Sequence, residues 1–436
     1  MKAIQATALL PLAFAAMLAM APAAHAGIDG VSGTTFSLVA KRDVIATADG
    51  ASVPMWGYSL GSARMQYPGP TLIVNEGDTV TINLSAQSGF PEPVSIVFPG
   101  QEGVTARGSG TRPTQCAGAL TLEVDNRNCT RVTYSFVAGR PGTYLYHSGT
   151  HQDLQVEMGL VGAIVVRPRG WSESNRTAYG HADTGYDREY LFLLTDLDPV
   201  IHDAVQDAVA ARPGGTIGPV PVDMSKRFPN YWFINGRNAP DTLQAAGVPW
   251  LPTQPYNTLP RMHPGERVLM RVVNAGLDLH PFHHHGNHAQ VIARDGGLLQ
   301  SAPGRGPDLA ESNYTIQAVP GETVDAVFEW TGLGLGWDVF GRTPEECAGS
   351  PDPDCGKPVP VVLPDNAQLT FGPHYSGSPF LGRLGSLPQG EGGLNMNGGL
   401  FFMWHSHNEK ELTNYNIFPG GMMTMMIVEP AGVEIP

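Results

Sequence analysis

"TLIVNEGDTVTINLSA", residues 71–86, consists of two short runs of alternating apolar and polar residues joined by the turn NEGD. Alternation with a period of two is typical of a strand that buries one face, and a Gly-containing turn between two such runs predicts a strand pair. A second stretch, "LPRMHPGERVLMRVVNAG" at 259–276, repeats the plan around the turn HPGE. We therefore expect two copies of one β-structure.

Two further pairs of segments support this internal repeat. "VTYSFVAGRPGTYLYHSG" (132–149) matches "YTIQAVPGETVDAVFEWTG" (314–332), and each half closes on a related apolar run, at 158–168 and 419–430. The sequence has 53 Gly and 38 Pro, and one helix is expected, in "DPVIHDAVQDAVAA" at 198–211. Short alternating strands with frequent turns predict an all-β fold of two tandem Greek-key β-sandwich domains.

The first residues are typical of a targeting segment. Lys2 precedes an apolar run that ends in small residues at Ala26, which predicts cleavage after Ala26 and a periplasmic or secreted protein. No later stretch is long and apolar enough to span a bilayer. The expected boundaries are a signal peptide at 1–26, a first domain at 27–168, a linker at 169–185 and a second domain with long loop insertions at 186–436.

Charge and cysteine content narrow the function further. The formal net charge of −14 argues against a nucleic-acid partner. Cys116 and Cys129 share one polar stretch, and Cys347 and Cys355 share another. In an oxidising compartment these pairs predict two local disulfides. A metal thiolate is disfavoured because no cysteine lies inside a histidine cluster.

Many of the fourteen histidines are clustered, in "HPFHHHGNH" (280–288), "WHSH" (404–407) and "YHSGTH" (146–151). In a strand, residues two apart point to the same face. His283 and His285 should therefore share a face, as should His405 and His407. Imidazoles that converge from different strands, without carboxylates, suit copper or zinc.

These clusters also carry a family resemblance. "HPFHHHG", preceded by "PGERVLMRVVNAG", resembles the third copper-binding motif of multicopper oxidases, and the segments that begin at 141 and 403 resemble the second and fourth motifs. The resemblance covers nearly all of the sequence after residue 26. It implies cupredoxin-like domains, a copper cofactor, electrons from a small reductant and dioxygen as the acceptor.

Position by position, the resemblance implies a ligand set. His280 falls on a blue-copper ligand, His283 on a ligand of the lone copper of a three-copper cluster, and Met422 or Met423 near the axial position. His151 is a further candidate, from the turn after the second motif. The candidate metal ligands are His147, His151, His280, His283, His285, His405 and His407.

The sequence also departs from the family pattern. Ser406 stands at the blue-copper cysteine, Glu411 at the second blue-copper histidine, Val97 and Pro99 at the first-motif histidines, and Gly149 at a second-motif histidine. We therefore expect a divergent two-domain member that lacks the blue-copper cysteine and the first histidine motif. Five cluster positions keep histidine: His147, His283, His285, His405 and His407.

Three functions are compatible with these features. The first is an exported copper-dependent oxidoreductase with a reduced or altered copper site and no blue copper centre. The second is a non-catalytic periplasmic copper-binding protein for storage, delivery or resistance. The third is a β-sandwich that has lost its metal and serves as an interaction module. Two-domain relatives of the family often form trimers that share copper ligands, so a homotrimer is compatible with each copper-binding function.

Overall fold

The computed structural model of this protein describes residues 28–340, 342–358, 400–429 and 432–435. The predicted signal peptide and most of the Gly/Pro-rich insertion, 359–399, lie outside the described residues. Within the described ranges, no helix is long and apolar enough to cross a membrane.

The first half of the chain forms a β-sandwich. Among residues 28–167, a four-stranded sheet (β1-β4-β9-β8) packs on a five-stranded sheet (β3-β2-β5-β7-β6), with helix α1 at Gln152–Glu157. The strands are β1 Val31–Ser32, β2 Thr35–Ala46, β3 Ser52–Leu60, β4 Leu72–Asn75, β5 Thr79–Ala86, β6 Thr105–Ser109, β7 Arg131–Val137, β8 Gly142–His147 and β9 Val161–Arg167.

The second half forms another sandwich. Within 188–340 and 400–429, a five-stranded sheet (β12-β21-β20-β14-β18) packs on a seven-stranded sheet (β11-β10-β13-β19-β15-β16, with β17 on β15). The strands are β10 Arg188–Leu197, β11 Tyr231–Ile234, β12 Arg261–Met262, β13 Arg267–Asn274, β14 His280–His284, β15 Ala289–Arg294, β16 Gly297–Leu298, β17 Glu311–Asn313, β18 Thr315–Ala318, β19 Thr323–Glu329, β20 Leu400–Ser406 and β21 Met423–Val428.

The predicted all-β fold of sandwich domains is confirmed, but one of the matches between the two halves is wrong. In the first sandwich β7 pairs with β5 and β8 pairs with β9; the corresponding pairs in the second are β19 with β13 and β20 with β21. The counterpart of 132–149 is therefore split between β19 and β20 rather than contained in 314–332. Both segments contain a Pro-Gly turn, which made them look equivalent. The strand that corresponds to β8 is β20, which follows the long insertion.

The predicted helix is confirmed as α2, Pro199–Ala210. The side chain of Asp198 accepts a hydrogen bond from the amide of Val200 and so caps the helix, and Pro199 occupies the first turn. Ile201 and Val205 pack into the core of the first sandwich, although α2 follows a strand of the second. The helix thus ties the two halves together.

A buried polar network also joins the two sandwiches. Arg271 on β13 contacts Glu189 at 3.0 Å and donates to the hydroxyl of Thr143 on β8 at 2.9 Å. The same hydroxyl donates to Asp325 at 2.6 Å, and Arg167 donates to Glu189 at 2.6 Å. Because these groups are buried, each relies on the others to satisfy its charge or hydrogen bonds.

Both predicted disulfides are confirmed. Cys116 bonds Cys129 and Cys347 bonds Cys355, each across a short loop.

Candidate metal centre

Two adjacent strands bring four histidines together. Strand β14 pairs antiparallel with β20, and in this register His283 lies opposite His405. His285 follows β14 and its amide donates to the carbonyl of Met403, while the amide of His407 donates to the carbonyl of Pro281. The pleat therefore places the four rings on one face of the five-stranded sheet, as the sequence predicted.

The rings are close enough to share an ion. The centroid of the His283 ring lies 4.9 Å from that of His285, 5.4 Å from that of His405 and 4.9 Å from that of His407. In His283, His285 and His405, one ring nitrogen each lies within 4.8 Å of the others. We call these three residues the histidine group; His407 stands at its rim with a side chain 55% exposed.

Hydrogen bonds orient the rings of the group. Nδ1 of His405 donates to the carbonyl of Ser406 at 2.7 Å, which leaves Nε2 as the lone-pair nitrogen, 3.3 Å from Nε2 of His285. Nδ1 of His283 lies 2.8 Å from the hydroxyl of Thr315, its partner on β18. Metal-binding histidines commonly have one nitrogen held in this way while the other binds the ion.

The electrostatic environment keeps these imidazoles neutral. Burial, with added repulsion from the neighbouring histidines, lowers the pKa of His283 to about 4. Burial also lowers the pKa of His405 to about 4 and lowers that of His285. Only a neutral imidazole offers a lone pair to a metal, so the group is ready to bind an ion at neutral pH.

The opposite face of the same strands holds the place where a blue copper would lie. Ser406, opposite Phe282, is fully buried, and its hydroxyl accepts a hydrogen bond from the amide of Asn408. His280 and Met422 are also fully buried on this side. A serine hydroxyl lacks the soft thiolate that defines a blue-copper site.

His280 is engaged by carboxylates at both nitrogens. Nδ1 lies 2.9 Å from Oε2 of Glu411, and Nε2 lies 3.2 Å from Oδ1 of Asp196. Asp196 also pairs with Arg227, which contacts Asp278 near the surface. The structure thus separates His280 from the histidine group and makes it the centre of a buried ionic network. Metal ligation by His280 stays a prediction, and these two carboxylate contacts disfavour it.

The first sandwich holds a depleted counterpart of the histidine group. Val97 forms an isolated bridge with His147, which repeats the pairing of His283 with His405 in the second sandwich. Nδ1 of His147 donates to the carbonyl of Ser148 at 2.9 Å, and burial lowers the pKa of this ring. A β-carbon built at Gly149 would lie 2.7 Å from Cγ1 of Val97. Of Val97, His147 and Gly149, only His147 has a metal-binding side chain.

His151 has a different partner from the one expected. It lies at the N-terminus of α1 with a left-handed backbone, and its Nδ1 is 3.0 Å from the buried carboxylate of Glu92. Glu92 also accepts hydrogen bonds from the side chain of Gln155 and from the amide of Val220. His151 therefore pairs with an acid inside its own domain, and among the described residues it has no ring contact with another histidine.

Sequence reasoning missed several residues that shape this region. Thr315 orients His283, and the half-exposed ring of Tyr314 lies 5.7 Å from the ring of His283. Asp196 and Glu92 hold His280 and His151. The alternation in "YTIQAV" predicts a strand, but it does not show that this strand, β18, pairs with β14. That pairing is known only from the fold.

Comparisons with known proteins agree with this architecture. Two family models, both described as multicopper oxidase, match residues 46–170 and 219–332, which together make up more than half of the chain. The chain belongs to the multicopper oxidase family, with sandwiches of the cupredoxin type.

Individual relatives match over limited segments. The iron transport multicopper oxidase fetC of Epichloe festucae is 38% identical over 103 residues, 23% of this chain and 15% of the relative. The L-ascorbate oxidase of Cucumis sativus is 33% identical over 133 residues, 30% of this chain and 19% of the relative. The chain thus aligns with less than a fifth of the length of either protein.

A solved structure supports the fold over a longer range. The blue copper oxidase from Nitrosomonas europaea superposes with a TM-score of 0.53 at 19% identity, covering 92% of this chain and 88% of that one.

Copper is the cofactor of this family, and the histidine group fits it. Three neutral imidazoles whose nitrogens converge, with no carboxylate in the group, are a donor set that suits copper. The buried network around His280 does not fit, because both nitrogens of that ring already face carboxylates.

Proposed function

We propose that this protein is an exported copper-dependent oxidoreductase with an altered copper site and no blue copper centre. The observation that carries the proposal is the convergence of His283, His285 and His405 within 4.8 Å. These residues would hold copper, and copper bound there would supply one-electron redox chemistry. We propose dioxygen and a small reductant as the reactants.

Each histidine has a distinct part in this proposal. His405 is 6% exposed and would be the most buried ligand of the group, with its ring held by the Ser406 carbonyl. His285 is exposed and His407 is half exposed, so the site opens to solvent on their side. Among the described residues, this exposed side is where a small molecule would approach the site.

The proposed route of the reductant follows from the opposite face of β14 and β20. Because the His280 network fills the position of the blue centre, a reductant would have to reach the histidine group directly from solvent. Tyr314, 56% exposed and in contact with His283, lines that approach. The names of the two relatives make Fe(II) and ascorbate sensible first reductants to test.

The test combines metal analysis, electron paramagnetic resonance and oxygen uptake. We expect the wild type to bind Cu(II) with a signal typical of nitrogen ligands and to consume oxygen with Fe(II) or ascorbate. His285→Ala and His405→Ala should lose both copper and uptake. His181→Asn is the matched control, because His181 caps a 3-10 helix at Ala182–Thr184. Unchanged uptake in both alanine variants would refute the proposal.

A second function, copper binding without turnover, is favoured by one observation. The ionic network around His280 leaves no second copper site to accept electrons from a substrate at that position. Copper at full occupancy without oxygen uptake, with any reductant, would support storage or delivery over oxidation.

The proposal includes a homotrimer in which His147 completes a neighbour's site. His147 keeps a nitrogen available, because Nδ1 is held by Ser148, and within the described residues it has no ring contact with the histidine group. We expect light scattering to give three times the chain mass. His147→Ala should lower copper affinity without changing that mass; a monomer that binds copper fully would exclude a shared site.

Export and the division into domains at 27–168 and 186–436 are also part of the proposal. Lys2 and the apolar run that ends at Ala26 support export. N-terminal sequencing of the protein recovered after expression should begin at Gly27. A mature protein that retains Lys2 would refute cleavage.

A further inference from the structure

Methionines continue the face that carries the histidine group. Strands β20 and β21 pair antiparallel, with Met423 opposite His405 and Met425 opposite Met403. Residues directly opposite each other on antiparallel strands project to the same face, with Cβ atoms about 4.5–5.5 Å apart. Thioether side chains therefore lie beside the imidazole of His405 on the same sheet surface.

Burial confirms that the methionines of β21 and the residue before it are divided between two faces. Met422 and Met426 are fully buried in the core of the second sandwich, with Trp404. Met403 and Met423 are half-buried and pack with Met425 in a separate small cluster. We call Met403, Met423 and Met425 the methionine group.

The chemistry of the methionine group is selective. Thioether sulfur is a soft, neutral and polarisable donor, which suits Cu(I) and other soft monovalent ions. Phe401, Leu259 and Ile427 pack around the group, and this apolar surrounding disfavours hydrated divalent cations. Packing in the core is enough to explain a methionine at position 425, which is 3% exposed. It does not explain why Met403 and Met423, which are closer to solvent, are also methionines.

The two groups are also coupled through the backbone. The amide of His285 donates to the carbonyl of Met403 at 3.1 Å, and Met423 pairs with His405. Both methionines are thus held in fixed register with two of the proposed copper ligands. An ion on the thioethers would need to move only from one residue pair to the next to reach the imidazoles.

We infer that Met403, Met423 and Met425 form a binding site for a soft monovalent metal ion, Cu(I) with Ag(I) as its analogue, adjoining the histidine group. The inference rests on the proposed function only for the identity of the natural ion. It assigns this sheet face as the surface where reduced copper is taken up before it reaches the histidines. No change of oxidation state is needed for this binding.

The test uses Ag(I), which is redox-inactive, and Cu(I) held by a chromophoric chelator without oxygen. Met403→Leu/Met423→Leu/Met425→Leu removes the thioethers and nearly conserves volume, so the fold is retained. Met422→Leu/Met426→Leu is the matched control, because it makes the same kind of substitution at two methionines on the core face. We expect the triple variant to lose one equivalent of Ag(I) and Cu(I), and the control variant to lose none.

Two outcomes would overturn the inference. One is a triple variant that binds Ag(I) like the wild type. The other outcome is measured by nuclear magnetic resonance on wild-type protein with labelled methionine methyl groups. It is a shift of the Met422 and Met426 signals on addition of Ag(I), with no shift in the signals of the methionine group. This measurement does not depend on the folding of a variant.

The proposed function and this inference fail separately. Cu(II) binding and oxygen uptake depend on the histidine group, whereas Ag(I) binding to the thioethers is measured without turnover. Loss of Ag(I) in His285→Ala/His405→Ala with retention in the triple methionine variant would assign the ion to imidazole alone, against the inference.

Discussion

The carboxylate of Glu411 lies 2.9 Å from Nδ1 of His280, at the place where a blue-copper ligand of the family would stand. With Asp196 on the other nitrogen, the imidazole is held between two buried acids. An ionic network thus occupies the position that a second copper would need. His280, at a position that resembles a family ligand, is held by these two carboxylates instead.

Replacement of His280 should therefore affect stability more than metal content. His280→Ala leaves the carboxylates of Glu411 and Asp196 buried without their shared partner. A buried hydrogen-bond acceptor that is left without its partner costs about 1–3 kcal/mol. We expect a loss of this order in the free energy of unfolding, measured with denaturant, and unchanged copper per chain.

His280→Gln is the control for that experiment, because an amide still donates to one carboxylate and should recover part of the loss. A His280→Ala protein of normal stability that had lost copper would show that His280 is a ligand after all.

Ser406→Cys should not create a blue protein. The thiolate would be present, but His280 would stay engaged by Glu411 and Asp196, and a blue site needs two imidazoles with the thiolate. We expect the absorption spectrum with Cu(II) to lack the intense copper–thiolate band. Ser406→Cys/Glu411→His returns the second imidazole and is the comparison variant. Blue colour in the single variant would contradict the structure.

Thr315 should tune the affinity of the histidine group. Its hydroxyl lies 2.8 Å from Nδ1 of His283 and fixes the orientation of that ring. Loss of such outer partners typically costs about 10–100-fold in metal affinity. Thr315→Val should weaken Cu(II) binding by this factor in a chelator competition, whereas Thr315→Ser, which keeps a hydroxyl, should not. Equal weakening in both variants would attribute the effect to packing.

The domain junction should be sensitive to acid through Glu189. Burial alone would raise the pKa of this carboxyl, but the guanidinium groups of Arg271 and Arg167 outweigh it and hold the pKa below the ordinary 4.5. A depressed pKa contributes stability that is present above the unfolded pKa and is lost as the pH falls through the folded one. The wild type should therefore lose stability below about pH 4.5.

Glu189→Gln should reduce the free energy of unfolding at neutral pH and flatten this acid dependence. Denaturant unfolding between neutral and acidic pH measures both effects. Glu102→Gln is a suitable control, because Glu102 pairs with Arg140 while its side chain stays 88% exposed. An unchanged acid slope in Glu189→Gln would assign the acid dependence to other carboxyls.

The alternation of apolar and polar residues was sufficient to predict the strands. It also predicted that each of the two histidine pairs shares one face, because both properties depend only on residues close together in the sequence. It was not sufficient for contacts across the fold. Asp196 and His280 are 84 positions apart and no motif connects them. Likewise, the run MMTMM at 422–426 does not show which methionines lie beside the histidines, and only the pairing of Met423 with His405 decides this.

The contact between position 149 and Val97 limits the mutational paths open to the first sandwich. A side chain at 149 would also lie 3.1 Å from Oγ of Ser95, so a histidine there requires Val97 to be shortened or replaced first. Gly149→His alone should be poorly tolerated and acceptable only after Val97 has changed. The effect of Gly149→His therefore depends on a prior change at Val97, which is epistasis with a fixed order of substitutions. Histidine ligands in the first sandwich are for this reason hard to restore by single substitutions.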